Sequence, residues 1–128
     1  MNTEEIDGAV FETWTVAEVA RAWAANEIVL IDVRTPQEYM FEHIEGALLL
    51  PMSFFNAQKL PGQSDKRIVI HCGSGVRSEK VARAAIAAGI GQIAHMEGGV
   101  AAWKKAREPY IGTNMATGAP QAVTPSKP

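Results

Sequence analysis

Apolar runs of strand length recur along this chain, and helix-start signals stand between them. Ile28-Val29-Leu30-Ile31-Asp32-Val33 is nearly continuous in apolar side chains, the pattern of a strand covered on both faces in a parallel sheet. Thr35-Pro36-Gln37-Glu38 follows as a capping box with proline at the first helical position, which predicts a short helix over 37–42. Thr15-Val16-Ala17-Glu18 is another capping box. With Val16, Val19, Ala20 and Trp23 on one face, it predicts a helix over 16–25 that Asn26 ends. Ala47–Leu50 reads as a strand halted by Pro51, and 53–59 as a helix ending before Pro61-Gly62. The run Ile68-Val69-Ile70 is a further strand. Beyond it, a helix facing inward through Val81, Ala84, Ala85 and Ala88 stops at Gly89. Gln92–Met96 is a short strand, and Gly98-Gly99 turns into a last helix carrying Trp103. Strands alternating with helices specify an α/β domain on a mostly parallel sheet.

At 128 residues and 47% hydrophobic content, the chain holds one domain with a real core. The expected organisation is a flexible lead-in over 1–10, the folded domain over 11–111, and a disordered tail over 112–128. That tail is rich in Gly, Thr, Ala, Pro and Ser and poor in bulky apolar side chains. The net charge of −2, with Lys and Arg scattered, argues against nucleic acid or an anionic membrane as partner. A single cysteine makes no intrachain disulfide, and no Cys/His spacing resembles a zinc site, so a reducing compartment and no metal are expected. Met1–Gly8 lacks the basic and apolar regions of a signal peptide. The most apolar stretch, 81–96, is broken by Arg83, Gly89, Gly91, Gln92 and His95, too often for a membrane span. A cytoplasmic protein is expected.

That one cysteine, Cys72, stands where a strand ends and a helix begins: Ile68-Val69-Ile70-His71-Cys72-Gly73-Ser74-Gly75-Val76-Arg77-Ser78-Glu79. Such a turn aims backbone N–H groups and the positive end of a helix dipole at the sulfur, which favours thiolate. Gly73 and Gly75 let the backbone curl around it. Arg77 adds a fixed positive charge, Ser78 is a good N-cap, and Glu79 suits the first helical turn. A lone cysteine beside an apolar strand also reads as a small buried hydrophobe. In a parallel sheet, however, ligands bind beyond the strands' carboxyl ends, where Cys72 sits.

Ile31-Asp32-Val33-Arg34 with Glu38-Tyr39, His43-Ile44-Glu45-Gly46-Ala47, Cys72–Ser78, and Glu97-Gly98-Gly99-Val100 with Trp103 together resemble a single-domain rhodanese, of the sulfurtransferase family. The resemblance spans about residues 13–108. It implies a three-layer domain, a central mostly parallel sheet with helices on both faces. The chain departs from the family's usual pattern at Glu42, where a glycine is usual, at His71, where an aromatic is common, and at Gly73, where an arginine is common. Arg77 is thereby left as the loop's one cation.

The resemblance further implies that Cys72 is the nucleophile and that Gly73, Ser74, Gly75, Val76, Arg77 and Ser78 form the substrate-binding cradle. Cys72 takes the sulfane sulfur of a small anionic donor such as thiosulfate, becomes a persulfide, and yields the sulfur to cyanide, a thiol or a protein acceptor. No cofactor is needed for this. Arg77 has two readings, anion binding and bracing of the loop. Asp32, Arg34 and Glu38 read as a polar cluster orienting the loops, His71 either as a packing residue or as a source of pH sensitivity, Trp103 as a core anchor, and Met52, Phe54 and Phe55 as core or pocket rim. His43 is not required as a general base. Two rivals remain. One is a persulfide relay module acting on protein partners. The other is a phosphatase or arsenate reductase on the same fold, which the four residues between Cys72 and Arg77 disfavour, because that chemistry resembles a Cys-x5-Arg loop.

Overall fold

Both capping boxes close, and they decide where two helices begin. In the computed structural model, which describes residues 1–127, Thr15 and Glu18 exchange side-chain-to-backbone hydrogen bonds at the start of α1 (Val16–Ala24), and Thr35 and Glu38 do the same at the start of α2 (Pro36–Phe41). Asn26, at φ +60°, turns the chain away after α1. The remaining helices are α3 (Val76–Ala87) and α4 (Gly99–Lys105).

The strands are β1 (Asn2–Ile6), β2 (Ala9–Trp14), β3 (Ile28–Asp32), β4 (Leu48–Leu49), β5 (Arg67–His71) and β6 (Gln92–Met96), with β7 (Tyr110–Thr113) and β8 (Pro120–Val123) forming a separate hairpin. The six-stranded sheet runs β1-β2-β6-β5-β3-β4, antiparallel at β1–β2 and parallel elsewhere. Alternation along β5 splits the core into two layers. Ile68 and Ile70 pack with Val81, Ala82 and Ile86 of α3, while Val69 packs on the other face with Val19 and Ala22 of α1 and Trp103 of α4. This is the expected three-layer arrangement, helices on both faces of a mostly parallel sheet. Each of the large side chains buried in these layers contributes about 1.5–3 kcal/mol. Trp103 is one of them, and its indole N–H donates to Pro109 O at 2.8 Å.

Several expectations are corrected. Residues 2–6, read as a loose lead-in, form the edge strand β1. The reason is the two-residue turn at Asp7-Gly8, with both residues at positive φ, which folds β1 back onto β2. The tail expected to be disordered holds the end of β7 and all of β8. Backbone pairing, which composition does not register, orders it: β8 pairs with β7, and β7 is tied to His43 through Ile111. Pro128 lies outside the described residues. The helix over 53–59 is two 3-10 turns, Met52–Phe54 and Ala57–Lys59. Finally, α3 buries Ser78, Val81, Ala82, Ala85 and Ile86, whereas Ala84 and Ala88 are exposed. The inward stripe therefore begins one turn earlier than expected, at Ser78. No helix among the described residues is long and apolar enough to cross a membrane.

Candidate active site at Cys72

Cys72 directly follows β5, and the loop after it curls into α3. The residue is 0% exposed. Its Sγ accepts the Gly75 N–H at 3.1 Å and lies 3.6 Å from Ser78 Oγ. Gly75 caps α3 in the left-handed region at φ +102°, a conformation that aims this N–H back at the sulfur and that side chains resist. Burial pushes the thiol up, but the Ser78 N–H and hydroxyl, with the Ser74 and Gly75 N–H groups, outweigh it and hold the thiol below its ordinary value.

Ser78 is not the N-cap read from sequence. It sits one turn into α3, buried against Cys72, because Gly75 has already taken the capping position. Its hydroxyl lies 3.2 Å from Gly75 O and 2.9 Å from His95 Nδ1.

The loop's underside is held by the start of α4. The Val100 N–H donates to Cys72 O at 2.8 Å and the Ala101 N–H to Gly73 O at 3.0 Å. At Gly99, where φ is +60°, a Cβ would stand 2.4 Å from Cys72 O. Only glycine admits this approach. The Glu97-Gly98-Gly99-Val100 patch is thus the clamp under the cysteine.

Asp32, Arg34 and Glu38 divide into two pairs rather than forming one cluster. Asp32 and Arg34 make a buried pair at 2.9 Å, and Arg34 Nη2 also donates to Glu42 O at 2.7 Å, fixing the β3–α2 connection. Glu38 is engaged from the other side by Arg77, which donates from Nη1 to Oε1 at 2.7 Å and from Nη2 to Oε2 at 2.9 Å. The Arg77 guanidinium pulls the Glu38 carboxyl down to about 2. Arg77 is therefore tied across the loop to Glu38, with its charge largely matched.

The two histidines considered from sequence, His43 and His71, make no hydrogen bond to Cys72 Sγ among the described residues. His43 Nδ1 lies 2.8 Å from Tyr39 O, with its ring stacked on Tyr39. His71 is fully buried, neither ring nitrogen has a hydrogen-bond partner among the described residues, and burial pushes it down to about 4. Phe55 packs against the α3-side core, whereas Met52 and Phe54 are exposed. His95, 2.9 Å from Ser78 Oγ, is not among the residues expected near the site from sequence. The signal for it was a polar side chain inside the apolar run Ile93-Ala94-His95-Met96.

Two clefts flank the loop. One of about 440 Å³ is lined by Arg34, Glu38, Glu42, Gly73 and Lys104. Another of about 310 Å³ is lined by Thr13, Ser74, Gly75, Glu79, His95 and Glu97. Among the described residues, no three His, Cys, Asp or Glu side chains come together as a metal-holding group.

Comparison with known proteins gives the fold a context. The family described as Rhodanese-like domain matches residues 15–106. An uncharacterized protein of Synechocystis is 40% identical over 91 residues, 71% of this chain and 51% of that protein. The probable adenylyltransferase/sulfurtransferase MoeZ of Mycobacterium tuberculosis is 39% identical over 95 residues, 70% of this chain and 24% of that protein. This chain thus spans about half the length of the first of these relatives and about a quarter of the second. Among solved structures, a rhodanese-like domain protein from Staphylococcus aureus matches with a TM-score of 0.58 at 30% identity, covering 72% of this chain and 90% of that one.

Proposed function

This chain belongs to the family of rhodanese-like domains, and from that premise we propose that it is a sulfurtransferase whose nucleophile is Cys72. The observation that carries the reading is the sulfur's setting: a buried Sγ at the start of α3, accepting the Gly75 N–H at 3.1 Å, with its thiol held below the ordinary value. The Cys72 thiolate attacks the outer sulfur of a donor such as thiosulfate. A sulfur–sulfur bond forms to Cys72, the donor's own sulfur–sulfur bond breaks, and sulfite leaves with the bonding pair. The persulfide's outer sulfur then bonds to cyanide or a thiol, and Cys72 departs as thiolate. Charge and atoms balance in both steps, so no redox partner is required, and the amides of 73–78 serve the anion throughout.

Because Arg77 is already paired with Glu38, a small anionic donor meets backbone amides and the helix terminus more than a free guanidinium. The four-residue spacing from Cys72 to Arg77 favours sulfur over a tetrahedral oxyanion.

A second reading, a persulfide relay to a protein acceptor, has its own support. Val76, the first residue of α3, lines the 310 Å³ cleft beside the loop and is 61% exposed. An exposed apolar side chain at that cleft suits a protein partner.

Incubation of the reduced protein with thiosulfate, removal of excess and measurement of intact mass tests the proposal. A gain of one sulfur atom, reversed by cyanide and absent from Cys72→Ser, is expected. No gain with thiosulfate or with a persulfide donor overturns it. Loading followed by slow turnover with cyanide favours the relay, and fast turnover favours the small-molecule enzyme.

A further inference from the structure

Cys72 is 0% exposed, so its thiol proton needs a path out before the sulfur can act as a nucleophile. On the α3 side of the sheet, a chain of polar atoms leads away from it. Cys72 Sγ lies 3.6 Å from Ser78 Oγ, and Ser78 Oγ lies 2.9 Å from His95 Nδ1. Ser78 and His95 are both buried, at 0% and 3% exposure. His95 also lines the 310 Å³ cleft, and its Nε2 makes no protein hydrogen bond among the described residues.

The hydroxyl of Ser78 accepts from the Cys72 thiol and carries one proton of its own, for which Gly75 O, His95 Nδ1 and, once it is a thiolate, Cys72 Sγ are the acceptors. With Nδ1 bare, the hydroxyl's best-placed acceptor is the imidazole, and its proton points away from sulfur. With Nδ1 protonated, His95 donates to Ser78 Oγ and the hydroxyl proton is released toward the thiolate. The imidazole's protonation pattern therefore decides whether Ser78 stabilises the anion.

We propose that His95 is a positioning residue for Cys72, acting through the Ser78 hydroxyl to turn that hydroxyl toward the sulfur as the thiol proton is lost. The inference rests on Cys72 being the nucleophile. As the S–H bond breaks, its proton passes to Ser78 Oγ, the Ser78 proton passes to His95 Nδ1, and the Nε2 proton leaves to solvent in the cleft. Net, one proton is lost, Ser78 stays a neutral hydroxyl and His95 a neutral imidazole with its proton moved from Nε2 to Nδ1. The groups facing His95 suit this. Phe11 of β2 stacks obliquely at 5.4 Å, Glu79 and Arg83 of α3 act on the ring with opposite sign, and Glu97 lies beyond β6. Burial outweighs these charges, holds the imidazole below its ordinary value and keeps it neutral.

The test is thiolate absorbance near 240 nm as a function of pH, which reports Cys72 alone because the chain has one cysteine, with Cys72→Ser as the blank. His95→Leu and Ser78→Ala are each expected to raise the titration midpoint by about one pH unit. The double variant should rise no further than Ser78→Ala, because His95 acts through that hydroxyl. His95→Asn, whose amide occupies the Nδ1 position, should stay near wild type, while His95→Gln should shift like His95→Leu. A His95→Leu midpoint equal to wild type overturns the proposal. So does a His95→Leu shift that persists in the Ser78→Ala background, which would assign the effect to packing. Should His95→Leu fail to fold, the Asn and Gln variants decide, and equal midpoints for those two overturn it. The measurement needs no sulfur donor, so a failed sulfur-loading experiment leaves it readable.

Discussion

His71 and His95 lie near the carboxyl ends of the adjacent strands β5 and β6, yet they face opposite sides of the sheet and meet different fates. Both are buried, and burial lowers the basicity of both. On the α3 side, His95 finds the Ser78 hydroxyl at 2.9 Å and, through it, Cys72. On the other side, the nearest charged acceptor of His71 is Asp32, its register partner, but the Asp32 carboxylate is already saturated by the backbone N–H and guanidinium of Arg34. One imidazole is wired to the sulfur, and the other is sealed off. Burial by itself makes a histidine neutral; a hydrogen-bond partner is what lets it take part in chemistry.

The difference between the faces depends on the clamp that holds the loop above them. Gly99→Ala, with its Cβ driven against Cys72 O at a positive φ, is expected to cost about 4 kcal/mol of stability and to abolish sulfur loading, checked by denaturant unfolding and intact mass. Full stability in that variant would mean the clamp yields freely and the geometry around Ser78 and His95 is not rigidly imposed.

Acid sharpens the contrast next. The unfolded chain binds a proton at His71 near pH 6.5, whereas the folded protein resists it down to about 4. Stability from this source is therefore complete above pH 6.5 and falls as the pH drops toward 4, by about 3 kcal/mol in all. His71→Leu should remove that portion of the acid limb while leaving the Cys72 titration in place. An unchanged acid limb, read from unfolding midpoints between pH 7 and 4, would contradict the sealed state of His71.

Ser78→Ala removes the link on the reactive face and leaves His95 Nδ1 without its partner, so a loss of about 1 kcal/mol is expected by thermal unfolding. A stability gain instead would show that the hydroxyl is poorly satisfied in the resting protein.

The smallest effects are expected at the loop's outer brace. The Glu38–Arg77 pair is about one-third exposed, so Glu38→Gln or Arg77→Ala should cost no more than about 1 kcal/mol. With Arg77 acting as a brace, Arg77→Ala should also leave the thiosulfate KM within about threefold of wild type. A large rise in KM would return Arg77 to anion binding.

Much of this was legible along the chain, because the signals were local. Capping boxes at Thr15 and Thr35, and apolar runs at 28–33 and 68–70, state helix starts and buried strands within a few residues. The two ends depart from expectation for different reasons. At the first, Asp7-Gly8 is a local turn signal that outweighs the acidic composition around it, whereas β8 owes its order to pairing with β7, and its own composition carries no trace of that.

What the sequence determined by itself was the order of elements, the parallel α/β layering and the placing of one cysteine at a strand-to-helix turn, since periodicity and capping act over one or two helical turns. What only tertiary structure decided was who touches whom around that sulfur. Glu38 meets Arg77 across 39 positions and Ser78 meets His95 across 17. Such pairings follow from which strands are neighbours and which face of a strand a residue occupies, and those are settled only when the sheet closes against its helices.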